Sequence, residues 1–171
     1  LRDDEGLIPL HLACINNHLK CVKLLIEYGS YWNIRDDNGM SPLLYSCKEG
    51  NIEIVKYLMN TIENIHILAR NDEGNSCVHL AGESGSLELL QYLIINKKMN
   101  INLRNNKNET VLHIVQKLES NEHLVEWLEE NGATTRNETD DEKLLRKQID
   151  KKGEKALRAF EMEELSNLEN R

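Results

Sequence analysis

With 171 residues, a net charge of −8 and aromatic residues at only 5%, the chain lacks the basic surface that a phosphate backbone requires and the rings that a base-stacking platform needs. Its apolar runs are far shorter than the ~20 residues of a membrane span, and it opens on charge, "LRDDEG", with no secretory pattern. Cys14, Cys21, Cys47 and Cys77 form no CxxC pair and sit in apolar patterns. They read as buried free thiols of a reducing compartment, which points to the cytoplasm or the nucleus.

The first element is announced by "GLIPLHLA" at 6–13. A glycine suits a turn, and a proline suits the first position of a helix, where its missing N–H costs nothing. The pattern predicts a helix over 9–16. An amphipathic helix follows over 19–28, where Leu19, Val22, Leu25 and Ile26 make one apolar stripe and Gly29 supplies the left-handed stop. "GMSPLLYS" at 39–46 restarts the plan, with Ser41 and Pro42 opening a helix over 42–49, and "GNIEIVKYLMN" predicts another over 52–60. "GNSCVHLA" at 74–81 places Ser76 as an N-cap before a helix over 77–84, followed by one over 87–95. "NETVLHIV" at 108–115 and "NEHLVEWLEENG" at 121–132 give helices over 111–118 and 122–130, closed by Gly132.

One segment is thus written four times, about 34 residues apart. Each copy is a polar turn and two short helices, too small to bury a core by itself. Stacking the copies solves that problem and gives a solenoid. The period, "PLHLA", "VHLA" and "VKLLIEYG" resemble ankyrin repeats over roughly residues 2–135. The resemblance implies an all-α ankyrin-repeat solenoid, with repeats at about 2–35, 36–70, 71–104 and 105–135.

Several positions depart from that pattern. Ile8 replaces the capping Thr of repeat one, Leu44 the histidine of repeat two, and Cys77 the proline of repeat three. Repeat four has Asn108 for the glycine and Val111 for the proline. Repeats two and three lack the glycine after the outer helix, near Ile62 and Lys97, and "NTIENIHIL" carries two extra residues. Irregular loops are expected there, with Asn60 or Asn96 taking the left-handed conformation.

His11, His79 and His113 recur at one position, where a ring can bond back to the capping hydroxyl. Stacked units hold such rings about 10 Å apart, too far to share a metal, so a structural role is expected and no metal or cofactor. No nucleophile elbow or phosphate-binding loop is present, and the sequence offers no enzyme. The N-x-T triplets at Asn108 and Asn137 are chance matches in an Asn-rich chain.

Arg2, Arg35, Arg70 and Arg104 each precede the turn by the same spacing and would stack into a column. They either pair with Asp4, Glu5, Asp37, Asp72 and Glu73 nearby or form a binding edge. In ankyrin proteins partners meet the turn tips and the inner face of the first helix. Carried over by position, that surface is Leu7, Ile15, Asn16, Arg35, Asp37, Asn38, Met40, Lys48 and Glu49 from repeats one and two. It continues with Arg70, Asp72, Glu73, Asn75, Glu83 and Ser84, and ends at Arg104, Lys107, Glu109 and Lys117. Leu7, Ile15 and Met40 are expected to form an exposed apolar patch, unless an earlier repeat covers the first two.

Residues 136–171 form a charged extension. A capping box at Thr139–Glu142 precedes a stripe of Leu144, Leu145, Ile149, Leu157, Phe160, Leu165 and Leu168. It reads as a helix that either caps the stack or projects toward a neighbour. The resemblance implies a protein-binding module whose partner is a protein of unknown identity, without direct membrane insertion. The alternative is a regulatory or targeting segment of a larger ankyrin-bearing enzyme, such as a kinase or acyltransferase, or of a membrane protein. The first residue is Leu rather than Met, which suggests a piece of a longer chain carrying further repeats or domains.

Overall fold

The computed structural model describes residues 2–118 and 121–135. The capping box at Thr139–Glu142 and the stripe behind it lie outside them. The described residues form α1 (Pro9–Ile15), α2 (Leu19–Glu27), α3 (Pro42–Lys48), α4 (Ile52–Thr61), α5 (Cys77–Glu83), α6 (Leu87–Gln91), a π-helical turn (Tyr92–Asn96), α7 (Val111–Gln116) and α8 (Glu122–Glu130). Each boundary lies close to where capping and periodicity placed it. Ser41 is extended, and its Oγ accepts the Leu44 N–H at 3.3 Å, so α3 begins on a satisfied amide.

Packing follows the repeat. α1 lies against α3, α3 against α5 and α5 against α7, while α2 lies against α4. The core runs through every unit: Leu10, Cys14 and Val22 in the first, Leu44, Ile54 and Val55 in the second, Leu89, Leu90 and Leu93 in the third, and Leu124 and Leu128 in the fourth are fully buried. A buried leucine contributes about 1.5–3 kcal/mol, but ordering a residue's backbone costs about 1–2 kcal/mol. A single pair of five- to ten-residue helices cannot offset that cost, and the neighbours supply the difference.

The turns are laced by main-chain hydrogen bonds. The Asp37 N–H donates to the Glu5 carbonyl at 3.2 Å, Asp72 to Asn38 at 3.1 Å and Asn106 to Glu73 at 3.0 Å. This ladder explains the glycine that opens each copy. Gly39 and Gly74 have φ of +72° and +79°, and a Cβ there would come within 2.9 Å and 2.7 Å of the amide nitrogens of Asp72 and Asn106. Asn108 fills the same position in repeat four at φ +61°; Asn tolerates that region better than most residues.

Where the second glycine is missing, the chain does not use Asn60 or Asn96 as expected. α4 runs to Thr61 and leaves through an extended Ile62. In repeat three the helix widens into the π-helical turn, with the Lys97 N–H donating to the Tyr92 carbonyl at 3.1 Å, and Lys98 takes the left-handed conformation at φ +54°. The wider turn, rather than an asparagine, brings this helix to its end.

The recurrent histidines are structural. In repeats one and three the Nδ1 of His11 and His79 accepts the N–H of the capping residue, at 3.0 Å from Ile8 and 3.2 Å from Ser76. Nε2 therefore carries the proton and donates to Ile34 O, at the end of the same repeat, at 3.0 Å for His11 and to Glu109 O, in the next repeat, at 3.1 Å for His79. The capping hydroxyls of Ser76 and Thr110 lie 2.8 Å and 2.9 Å from the same ring atom of His79 and His113. Burial pushes His11 and His79 below the ordinary imidazole value, which keeps them neutral. Among the described residues no group of three or more His, Cys, Asp or Glu is placed to hold a metal, and no helix is long and apolar enough to cross a membrane. Cys14, Cys47 and Cys77 are buried free thiols, but Cys21 is exposed, contrary to its apolar sequence setting.

Candidate functional site

The inner helices of repeats two and three, with their turns, enclose a groove of about 400 Å³. Met40, Tyr45 and Leu80 form its floor, and Lys48, Glu83, Asn38, Asp72 and Glu73 its rim. The helical register explains the arrangement. Tyr45 and Leu80 each follow the histidine position of their helix, and Lys48 and Glu83 stand one turn further along the same face.

Tyr45 is held in place by the turn beside it. Its hydroxyl donates to Asp36 Oδ2 at 2.6 Å, while Asp36 Oδ1 accepts the amides of Asn38 at 3.0 Å and Met40 at 2.7 Å. Burial pushes the Asp36 carboxyl up, but these three donors outweigh it and hold the group below its usual value. Burial and the neighbouring carboxylate both push the Tyr45 hydroxyl well above the ordinary phenol value. The ring thus stays neutral, edge-on to His11 at 5.7 Å. Burial also raises Glu83, an effect that Lys48 and Lys107 partly counter.

The structure distributes the residues expected at the interface over several settings. Asn16, Asp37, Asn38, Lys48, Glu49, Asp72, Glu73, Glu83 and Lys107 are exposed. The apolar patch is corrected: Leu7 is 9% and Met40 5% exposed, and Ile15 is half-buried. Leu7, Met40, Asn75 and Glu109 share the position directly after the turn residue. That position tucks beneath the next unit, where Asn71 Nδ2 sits 3.6 Å from Met40 Sδ. Asn75, also expected on the surface, is 3% exposed; its amide accepts from Asn105 Nδ2 at 2.9 Å and donates to Glu73 Oε2 at 3.2 Å.

The arginine column does not form a uniform edge beside the groove. Arg70 is half-buried and donates to the carbonyls of Gly74 and Arg104, bracing its own turn and the next strand of chain. Arg104 donates to Asn108 O at 2.6 Å and Thr135 O at 3.3 Å. Arg35 lines a separate cavity. Tyr45 and Leu80 belong to the groove but were not read from the sequence; the signal was available, since both sit one residue past the histidine position. Along the rim Glu73 pairs with Lys107 at 3.4 Å, and Glu109 pairs with Lys117.

The groove thus sets a floor of Met40, Tyr45 and Leu80 within a rim of mixed charge. Two models of ankyrin repeats match the chain, one of three copies over residues 1–71 and one of many copies over residues 78–129. The chain is also similar to the NF-kappa-B inhibitor cactus of Drosophila yakuba, 30% identical over 115 residues, and to that of Drosophila melanogaster, 31% identical over the same length. Each match covers 67% of this chain and 22% of the relative, so the chain spans about a fifth of the proteins it resembles. Four stacked helix pairs, a glycine ladder of turns and these matches lead to one conclusion: the chain belongs to the ankyrin-repeat family.

Proposed function

We infer that this stack is a protein-recognition module that holds a partner protein in the groove of repeats two and three and along the neighbouring turn tips. The observation that carries this reading is the groove itself, where the half-buried Tyr45 ring, backed by the buried Met40 and Leu80, is ringed by exposed Lys48, Glu83, Asp72 and Glu73. An apolar centre within a polar rim is the usual anatomy of a binding hot spot. The turn tips at Asp37 and Asn38 extend the surface toward repeat one, where Asn16 and Glu49 continue the inner face; Lys107 extends it toward repeat four. Its relatives are named as inhibitors of NF-kappa-B, and this chain is read in the same mode, as a module that acts by occupying another protein rather than by catalysis.

The test is a charge reversal against a partner obtained by affinity capture. Lys48→Glu with Glu83→Lys should weaken binding by more than tenfold, about 1.4 kcal/mol, with the fold intact because both side chains are exposed. Lys23→Glu with Lys56→Glu on the outer helices should change only the salt dependence of association. An outer pair that abolishes binding while the inner pair leaves it intact would place the partner on the other face.

A further inference from the structure

Away from the groove, the end of repeat one and repeat two enclose a second cavity, of about 220 Å³, that shares no residue with the groove. Trp32, Asn33, Arg35, Ser41 and His66 bring polar groups to it, over an apolar shelf of Leu43, Ile65 and Ala69. It borders the segment where repeat two carries its two extra residues, so Ile65–Ala69 face Trp32 and Asn33 at this level of the stack.

Three observations set this cavity apart. Arg35 makes no hydrogen bond or ion pair among the described residues, whereas Arg70, its equivalent one repeat on, is committed to two backbone carbonyls. No carboxylate lines the cavity, although the chain carries 29 acidic residues. Asp36, adjacent in sequence, directs its carboxylate to Tyr45 and to the turn amides instead. The polar groups that remain can all donate: the Arg35 guanidinium, the Trp32 indole N–H, the Asn33 amide, an N–H of His66 and the Ser41 hydroxyl. The Trp32 and His66 rings stand 6.2 Å apart at 51°, forming one wall.

The geometry points to a binding site for an oxyanion carried on a side chain of the partner protein. Arg35 is the anchor, since a guanidinium presents parallel N–H donors that match a phosphate or carboxylate in two-point fashion. Trp32, Leu43, Ile65 and Ala69 flank the carbon stem that carries the oxyanion. A volume of about 220 Å³ accommodates a phosphorylated or carboxylate side chain and excludes a larger folded element. That the oxyanion belongs to a protein rests on the recognition-module reading, but the site is tested without any partner.

The full 171-residue chain, labelled with ¹⁵N, is titrated with phenyl phosphate, benzoate and inorganic phosphate while the Trp32 indole and Arg35 guanidinium resonances are followed. Saturable shifts at both groups are expected at millimolar concentration, with phenyl phosphate or benzoate binding more tightly than inorganic phosphate. Arg35→Gln should raise the dissociation constant at least tenfold, and Lys48→Gln, in the other groove, should leave it unchanged. Preference for phenyl phosphate assigns a phosphorylated side chain, and equal or better binding of benzoate assigns a carboxylate. The proposal is overturned if neither aromatic anion gives saturable shifts at Trp32 and Arg35, or if Arg35→Gln binds as well as the native chain. Equal binding of inorganic phosphate and the aromatic anions would remove the role of the apolar shelf and with it the side-chain carrier.

Discussion

His79→Leu tests the claim that this histidine is a hydrogen-bonding strut between repeats three and four. Leu44 occupies the same position in repeat two and is fully buried, so the site tolerates the leucine shape and the loss isolates the hydrogen bonds. The variant leaves the Ser76 N–H and the Glu109 carbonyl without the ring that bridges them at 3.2 Å and 3.1 Å. A buried polar group left unpaired costs about 1–3 kcal/mol, and extra apolar burial offsets up to about 1–2 kcal/mol. The net loss should be about 2–3 kcal/mol, or about 6–10 °C in melting temperature for a chain of this size. Acid should act through the same groups. Burial lowers His11 and His79 in the folded state, so the unfolded chain binds more protons below about pH 6.5. Stability is complete above that pH and declines as pH falls through it. Urea unfolding monitored by circular dichroism between pH 7.5 and 5 (a range chosen around about 6.5) should show this slope, and His79→Leu should make it shallower, leaving the share of His11. A loss below about 1 kcal/mol with an unchanged slope would refute the strut.

Other outcomes follow from the same contacts. Gly29→Ala meets nothing within 4 Å and pays only for φ +80°, whereas Gly74→Ala also drives its Cβ toward the Asn106 amide. Urea midpoints should give about 1 kcal/mol for the first and at least twice that for the second; equal losses would mean the turn ladder yields freely. Met40→Ala should cost about 2–3 kcal/mol through its buried side chain, and a melting temperature matching the native chain would contradict the tucked position after the turn. An aromatic disulfide reagent should modify Cys21 first. Cys14, pushed up to about 11 by burial, and the buried Cys47 and Cys77 should react only on unfolding; two or more fast thiols would argue against the packing described.

What the sequence made legible was whatever depends on period and capping. Pro9, Pro42, Ser41 and Ser76 begin helices where their local chemistry demands it, and the four-fold spacing needs only counting. What it concealed was the effect of one unit on the next. Nothing within "DDNGM" says that Met40 turns under the following repeat, because the group that covers it, Asn71, lies 31 residues away. Arg70 looked like a surface charge for the same reason, since its second acceptor, Arg104 O, is 34 residues distant. The helix ends that lack glycine do not fall on asparagines: repeat two leaves through an extended Ile62 and repeat three through a π-helical turn, neither of which a residue type announces. In the groove, Tyr45 and Leu80 were passed over because apolar residues beside a capping histidine read equally well as core.

The bonds that join one turn to the next, from Asp37 to Glu5, from Asp72 to Asn38 and from Asn106 to Glu73, run between peptide groups. The exposed side chains of Glu5, Asp37, Asn38, Asp72 and Glu73 therefore contribute little to the spacing of the stack. Those tips can be rewritten, acid to base or polar to aromatic, while the units keep their register. A lineage bearing this fold can change what it binds by substitutions that stability selection does not detect, and the glycines that close the ladder are the residues that cannot follow.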